Sequence, residues 1–248
     1  MRKKSPMEIE ISDELANKVL NPEHPIIQRF RERAPGTFQH SEAVSRLCEK
    51  IGRELKLDLN ALKIIGLYHD IGKMRFPQYF CENQAKGNNI HDQLDPYVSY
   101  RYITGHVADS ISIIVTKIPE IPVELTRCIA THHGNSLLQS ICNKLPTDTK
   151  IDYDTFRYPY SKPQDVYSCV LMICDCVEAT TKAMASNGKN DHDDFDLVIS
   201  STIDRLAKEE QIDELKIREV RIITDILLSE YSAINHNRIT AGYEDEKD

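Results

Sequence analysis

The chain has 248 residues, of which 40% are hydrophobic and 28% charged, as in an ordinary soluble globular protein of one large domain or two small ones. Its net charge of −8 argues against broad nucleic-acid binding, which depends on Lys and Arg contacts with phosphates. No stretch approaches the roughly 18 apolar residues of a membrane span, and acidic residues from Glu8 onward stand where a signal peptide would be apolar. We therefore expect a cytoplasmic protein, or the cytoplasmic part of a membrane protein, whose seven cysteines are free thiols.

Helical periodicity dominates the first part of the chain. Apolar residues between positions 44 and 51 follow the spacing of one helix face, which predicts a helix over residues 39–56. A second helix is predicted over 59–71, ending by Gly72. Residues 74–94 are rich in turn residues and predict a loop of about twenty residues, a length that is usually functional inside a compact domain.

The second part of the chain is also predicted to be helical. Further helices are expected at residues 95–117, 122–133, 161–186, 195–208 and 213–235. Prolines between residues 135 and 163 predict another long connection, and no alternating strand pattern is present. The predicted fold is all-α: an N-terminal extension over 1–20, one helical domain with extra C-terminal helices over 21–240, and a charged tail over 241–248.

A set of histidines and aspartates points to metal chemistry. Five of the nine histidines lie in or at the ends of predicted core helices: His40, His69, His106, His132 and His133. Asp70 follows His69, and Asp175 interrupts an apolar run where a lone charge would be costly. Any one of these histidines alone is more typical of an ordinary core or surface position. Metal ions, however, can satisfy several such groups that enter one core from different helices.

The chemistry of this set favours particular metals. Its donors are nitrogen and oxygen only, which suits Fe, Mn, Co or Zn better than Mg or Ca. Asp70 can bridge two ions because its two carboxylate oxygens can face different centres. Two ions about 3.5–4 Å apart can bind a bridging hydroxide and clamp a phosphate for in-line attack. The set therefore predicts a phosphohydrolase with two transition-metal ions.

The order of these residues carries a resemblance to a known family. His40, then His69-Asp70, then Asp175 resembles the H…HD…D pattern of the HD superfamily of metallophosphohydrolases. The string His69-Asp70-Ile71-Gly72-Lys73 resembles its HDIG form with the usual lysine. A narrower resemblance, over about residues 21–240, is to the cytoplasmic HD domain of the seven-transmembrane-HD family, bacterial phosphodiesterases of cyclic di-AMP. The motifs that carry it lie at residues 24–27, 34–41, 82–84, 89–92, 94–96, 105–107, 132–136, 156–159, 162–163, 175–179 and 236–239.

The resemblance implies an HD-domain helical bundle that hydrolyses cyclic di-AMP to the linear dinucleotide pApA. It implies a metal pair that is typically iron or manganese and is bridged by Asp70. The implied metal ligands are His40, His69, Asp70, His106, His132, His133 and Asp175. The chain departs from the family at Cys176, where a small or polar residue is usual, at Lys182, where an arginine is usual, and in lacking membrane spans. These departures bear on regulation and substrate fit more than on hydrolysis.

Four residues are predicted to contact the substrate. Lys73 lies one turn from the metal pair and is predicted to hold a nonbridging phosphate oxygen, the alternative being a solvated lysine. His91, on the long loop, is predicted to bind phosphate or to protonate the leaving oxygen. Arg157 and Tyr158 are predicted to contact phosphate or base, against ordinary surface and packing roles. The predicted catalytic residues are Asp70, Lys73 and His91.

Two other functions stay open at this point. One is an HD phosphohydrolase of another nucleotide, such as cyclic di-GMP, (p)ppGpp or a nucleoside phosphate. Cyclic di-GMP enzymes of the superfamily carry Gly-Tyr-Pro downstream of the paired histidines, where this chain has Gly134-Asn135-Ser136, which disfavours that substrate. The other is a sensor that binds a nucleotide without cutting it, which the intact set of metal ligands disfavours.

Overall fold

The computed structural model describes residues 9–85, 89–145, 152–186 and 192–242, without the side chains of 192–193 and 233–242. Across these residues the fold is all-α, as predicted, with no β-strand beyond one isolated bridge between Leu137 and Arg157. The helices are α1 Asp13–Val19, α2 Pro25–Arg33, α3 Pro35–Leu55, α4 Leu59–Tyr68, α5 Pro96–Lys117, α6 Val123–Ala130, α7 Gln139–Cys142, α8 Val166–Ser186, α9 His192–Lys208 and α10 Ile217–Gly242. None of the helices in the described part is long and apolar enough to cross a membrane.

The centre of the bundle is formed by α3, α4 and α8. Their inward faces place Val44, Ile65 and Val170, among others, out of contact with solvent. Burying an aliphatic side chain of this size stabilises the fold by about 1.5–3 kcal/mol. Helices α9 and α10 pack on the side of α3 and α8, and α5 packs on the turn that follows α4. All the elements that carry the predicted metal ligands therefore meet in one core.

Helix α3 begins four residues before its predicted start, because a distant residue caps it. Pro35 takes the first turn, and the Asn83 side chain accepts hydrogen bonds from the Gly36 and Thr37 amides at 3.0 and 3.2 Å. Asn83 belongs to the long loop, 47 residues after Gly36 in the chain. That cap supplies partners for amides that a helix start otherwise leaves unsatisfied.

Other predicted boundaries also move. Helix α8 begins at Val166 rather than 161, since the Asp165 carboxylate accepts from the Ser168 amide at 2.8 Å and acts as the cap. Helix α4 ends at Tyr68, and the chain continues as a 3-10 helix over Ile71–Arg75. Residues 187–191 lie outside the described part of the chain, and α9 has begun by His192, three residues before its predicted start.

The N-terminal segment contains two helices that the sequence did not predict, α1 and α2. Ile9, Ile11 and Val19 are buried in the main core, and the Tyr68 hydroxyl donates to the Val19 carbonyl at 2.5 Å. The boundary at residue 20 stays a prediction, although residues on its N-terminal side pack into the bundle. The predicted tail lies outside the described residues from 243 onward.

The long loop between α4 and α5 holds only short 3-10 turns in its described parts. These turns are Ile71–Arg75, Pro77–Tyr79, Cys81–Asn83 and Ile90–Asp92. The predicted loop over 74–94 is therefore present, apart from residues 86–88, which the structure does not describe.

Candidate metal centre

The seven predicted metal ligands converge at one place in the bundle. α3 contributes His40, α5 contributes His106 and α8 contributes Asp175, while His69-Asp70 ends α4 and His132-His133 lies in the turn after α6. Their donor atoms form two groups, each with all atoms within 4.8 Å of one another. Site 1 consists of His40, His69, Asp70 and Asp175, and site 2 of Asp70, His106, His132 and His133.

Asp70 is common to both sites, and its two oxygens face different ways. Oδ2 lies 3.3 Å from His69 Nε2 and 3.7 Å from His40 Nε2, on the side of site 1. Oδ1 lies 3.1 Å from His106 Nε2 and 3.8 Å from His132 Nε2, on the side of site 2. This is the arrangement that a carboxylate needs in order to bridge two cations.

Three of the imidazoles are oriented by their own backbone. The Nδ1–H groups of His69, His106 and His132 donate to the carbonyl three residues earlier, at 2.9, 2.5 and 2.6 Å. Each bond occupies Nδ1 and leaves Nε2 as the ring atom that is directed into the cluster. Metal-binding histidines are commonly held in this way, because the outer hydrogen bond fixes both the tautomer and the ring plane.

His40 is oriented by a side chain instead. Its Nδ1 is hydrogen-bonded to the Glu178 carboxylate, and its Nε2 lies 3.0 Å from Asp175 Oδ1. Glu178 was not predicted to have a role, although it follows Asp175 by three residues on α8 and therefore shares its helix face. That i, i+3 spacing is the signal that could have identified it.

Opposite charges stabilise each other in this buried cluster. The residues Asp70 and Asp175 are only 1% and 6% exposed. Burial alone would raise their pKa values, but Lys73 and the surrounding histidines hold the pKa of each carboxyl well below its usual range. Burial would likewise lower the pKa of His40 and His69, but the carboxylates raise these to about 9 and about 10. Both aspartates are therefore ionised and able to act as ligands.

The cluster is nevertheless incompletely satisfied by the protein alone. Within the described residues, His69 Nε2, His133 Nε2 and both carboxylate oxygens of Asp70 are buried without a hydrogen bond of acceptable geometry. Leaving such an atom unpartnered costs about 1–3 kcal/mol, and native proteins rarely accumulate several in one place. Cations would satisfy all four atoms at once, and the nitrogen and oxygen donors suit divalent transition metals. The residues present therefore fit a pair of metal ions.

Gly72 allows the turn that carries His69 and Asp70 to approach α5. A Cβ built at Gly72 would lie 2.1 Å from the His106 carbonyl oxygen, so only glycine fits there. The Gly72 amide donates to Ser110 Oγ at 2.8 Å on the same helix. The glycine of the His-Asp-Ile-Gly string thus lets the turn that carries His69 and Asp70 pack closely against the helix that carries His106.

A second set of contacts links Lys73 to the long loop, and we call Thr37, Lys73, Glu82 and Asn83 the loop clasp. Lys73 Nζ lies 2.7 Å from Asp70 Oδ2 and 3.1 Å from Glu82 Oε1. Glu82 Oε1 also accepts from the Thr37 hydroxyl at 2.9 Å, and the Asn83 amide donates to that hydroxyl at 2.8 Å. The clasp holds the Lys73 ammonium beside the metal centre and fixes the loop to the start of α3.

The other predicted substrate residues lie outside the cluster. His91 is 8% exposed and donates from Nε2 to the Tyr79 carbonyl at 2.7 Å, and none of its hydrogen bonds reaches a predicted metal ligand. Arg157 pairs with Asp154 at 2.7 Å and donates to the Asn135 carbonyl at 3.2 Å. Tyr158 is 7% exposed and stacks on His133, with ring centroids 4.3 Å apart. Their contact with substrate stays a prediction.

Comparison with known proteins defines the family. The HD domain family matches residues 37–180, which is more than half of the chain. The chain therefore belongs to the HD domain family.

Closer relatives share more of the chain. It is 31% identical over 238 residues to the cyclic-di-AMP phosphodiesterase PgpH of Listeria monocytogenes, covering 93% of this chain and 32% of that protein. It is 33% identical over 226 residues to PgpH of Bacillus subtilis, covering 88% of this chain and 30% of that protein. The crystal structure of the L. monocytogenes PgpH HD domain in complex with cyclic-di-AMP is similar with a TM-score of 0.77 at 30% identity, over 86% of this chain and 99% of that chain. The chain thus spans about a third of the length of the curated relatives it matches.

Proposed function

We propose that this chain is a metal-dependent phosphodiesterase that hydrolyses a cyclic dinucleotide, with cyclic di-AMP and its linear product pApA as the first candidates. The observation that carries this proposal is the pair of sites that share Asp70, because two ions joined by one carboxylate suit the hydrolysis of a phosphodiester. The similarity to PgpH supports a cyclic dinucleotide as the substrate.

The two sites would each hold one ion, and iron or manganese suits their donors. When bound, the ions supply Lewis-acid activation of water and of the phosphodiester. Asp70 would contribute a carboxylate oxygen to each ion, while His69, His106 and His132 present Nε2 with the ring plane already set by the Nδ1 hydrogen bonds. This preorganisation lowers the cost of assembling the site at each turnover.

Lys73 is the candidate residue for binding the substrate phosphate. Its side chain is 14% exposed, and its ammonium lies between the carboxylates of Asp70 and Glu82. Burial alone would lower the pKa of Lys73, but Asp70 and Glu82 raise it well above its usual range, so the ammonium is charged. In such a poorly solvated place a cation stabilises negative charge on a nonbridging oxygen more strongly than it would in water.

The leaving ribose 3′ oxygen takes its proton from water or from His91. Since His91 Nε2 donates to the Tyr79 carbonyl, Nδ1 is the atom that could carry a proton to the substrate, and it is buried without a partner. Arg157 and Tyr158, on the connection before α8, are the candidates for contact with phosphate or base.

Side-by-side hydrolysis of cyclic di-AMP, cyclic di-GMP and (p)ppGpp tests the proposal, with Mn or Fe supplied and then removed by chelator. We expect chelator-sensitive release of pApA from cyclic di-AMP. Cleavage of another nucleotide alone would leave the two-metal chemistry in place and overturn the substrate. Absence of any cleavage by protein shown to hold two ions would indicate a nucleotide-binding sensor instead.

A further inference from the structure

The segment that joins α9 to α10 lies against the turn that carries His132 and His133. Gln211 in this segment is 1% exposed, and its Nε2 donates to Asn135 Oδ1 at 2.6 Å. Asn135 follows His133 by two residues, whereas Gln211 lies beyond the residues matched by the HD domain family. A part of the chain outside the residues matched by the HD domain family thus contacts the turn that carries His132 and His133.

The Gln211 amide also occupies space that only a glycine leaves free. Gly134 has φ +52°, in the left-handed region, and a Cβ built there would lie 2.1 Å from Gln211 Oε1. Gln211 Oε1 is itself buried without a hydrogen-bond partner. The buried Gln211 side chain is therefore held in place by contacts with both Gly134 and Asn135.

The segment is in turn fixed to the rest of the fold. Lys162 Nζ donates to the Glu209 carbonyl at 3.0 Å and to Glu210 Oε2 at 3.1 Å. Glu210 has φ +56°, a conformation that residues other than glycine keep only where the surroundings impose it. On its other side the turn is held by Arg157, which donates to the Asn135 carbonyl at 3.2 Å.

Site 2 has reason to depend on this support. His133 differs from the other histidines of the site in having no outer hydrogen bond: its Nε2 is unpartnered, and its Nδ1 lies 3.7 Å from Asp175 Oδ2. Its position is set by the backbone of the turn and by the Tyr158 ring. Outer-sphere partners that fix a metal-binding histidine typically account for about a 10- to 100-fold difference in metal affinity or activity.

We infer that Gln211 is a positioning residue for site 2, acting through Asn135 and Gly134 on the backbone that carries His132 and His133. The inference rests on the proposed binding of metal ions. It makes the helical pair α9 and α10 a part of the support of the metal centre.

The decisive variant is Gln211→Met, which keeps the length of the side chain but removes its donor and its unpartnered acceptor. Packing is thereby conserved while the hydrogen bond to Asn135 is lost. We expect Mn²⁺ titration with a competing chelator to show that one ion binds about 10- to 100-fold more weakly and that the other is unchanged. The matched control is Ile203→Val, which trims a buried side chain of α9 and should leave both affinities unchanged.

Two further variants test whether Gln211 acts on site 2. In a His133→Ala background, Gln211→Met should not alter the affinity of the remaining ion, which locates its action at site 2. Gln211→Ala, which also opens space beside Gly134, should weaken the same ion at least as much. Equal affinities in wild-type and Gln211→Met protein would overturn the inference, whereas a wild-type protein that binds no Mn²⁺ would overturn the proposed function itself.

Discussion

The metal centre and the substrate-facing loops are held in different ways. Three imidazoles of the centre each donate to the carbonyl three residues earlier, so a contact within the same turn of chain orients each ring. His91 and Arg157 instead bond to other parts of the loops, at Tyr79, Asp154 and Asn135. Donors fixed by regular helices are reproducible, whereas groups fixed by loop contacts can change without disturbing the core. The predicted metal ligands therefore depend on the helical bundle, and the predicted substrate contacts on the connections.

The largest effect is expected from Asp70→Ala, because Asp70 is the only residue shared by the two sites. The substitution should abolish binding of both ions and lower turnover by at least about 10³-fold, since metal activation contributes several kcal/mol and each ~1.4 kcal/mol is tenfold. Metal content and hydrolysis measured on the same preparation check this.

The control for Asp70→Ala is Glu49→Ala, which removes a carboxylate that pairs with Arg53 on the surface of α3. It should retain both ions and wild-type turnover. Turnover that persists in Asp70→Ala would contradict a mechanism with two metal ions.

The division between helices and loops also explains what the sequence could predict. The seven predicted ligands lie on or beside strongly periodic helices. The H…HD…D order marks four of them, and the narrower family resemblance implied the other three, His106, His132 and His133. Helices α1 and α2 were missed because 7 and 9 residues are too short for a clear period, and burial of Val19 and Phe30 in the core stabilises them.

Contacts between residues distant in sequence could not be predicted from the sequence. Asn83 caps α3 from 47 residues away, and Gln211 contacts Asn135 from 76 residues away. No local pattern marks such contacts, because they exist only once the chain has folded. Glu178 is intermediate: its spacing from Asp175 was visible, but its bond to His40 spans 138 residues.

Glu178→Gln would sharpen the comparison by weakening the side-chain hydrogen bond that orients His40, where three other imidazoles use a backbone carbonyl. The amide keeps the shape but loses the charge that holds the His40 Nδ1–H. We expect metal titration to show that the ion at site 1 binds about 10- to 100-fold more weakly and that the affinity of site 2 is unchanged.

Glu230→Gln is the matched control for Glu178→Gln. Glu230 pairs with Lys50 across α10 and α3 on the partly exposed surface, away from the cluster. Both variants lose one carboxylate charge that contacts α3, so an equal loss of metal affinity in the two would show that the effect is not specific to His40.

A smaller effect is expected from Glu82→Gln, which weakens the loop clasp where it meets the metal centre. Lys73 keeps its contact with Asp70 at 2.7 Å but loses a charged partner at 3.1 Å. We expect kcat/KM to fall by about tenfold, which corresponds to ~1.4 kcal/mol, within the range of one hydrogen bond to a charged group. Metal content should not change, because Glu82 belongs to neither site.

Glu120→Gln, which removes a surface carboxylate paired with Lys18, serves as the control for Glu82→Gln and should behave as wild type. Loss of an ion in Glu82→Gln would mean that the loop clasp supports metal binding directly. The metal centre would then depend on the long loop as well as on the helices.

The smallest effect is expected from His91→Ala. General acid catalysis contributes about 10²- to 10⁴-fold, but every hydrogen bond of His91 lies within the loop, and its Nε2–H is already donated to Tyr79. We expect less than about a tenfold fall in kcat, with water then protonating the leaving oxygen, and an unchanged metal content. His24→Ala, which removes a half-buried histidine that caps α2, is the matched control. A fall in kcat of a hundredfold or more in His91→Ala alone would show instead that the loop brings Nδ1 to the substrate, and it would place part of the chemistry outside the helical core.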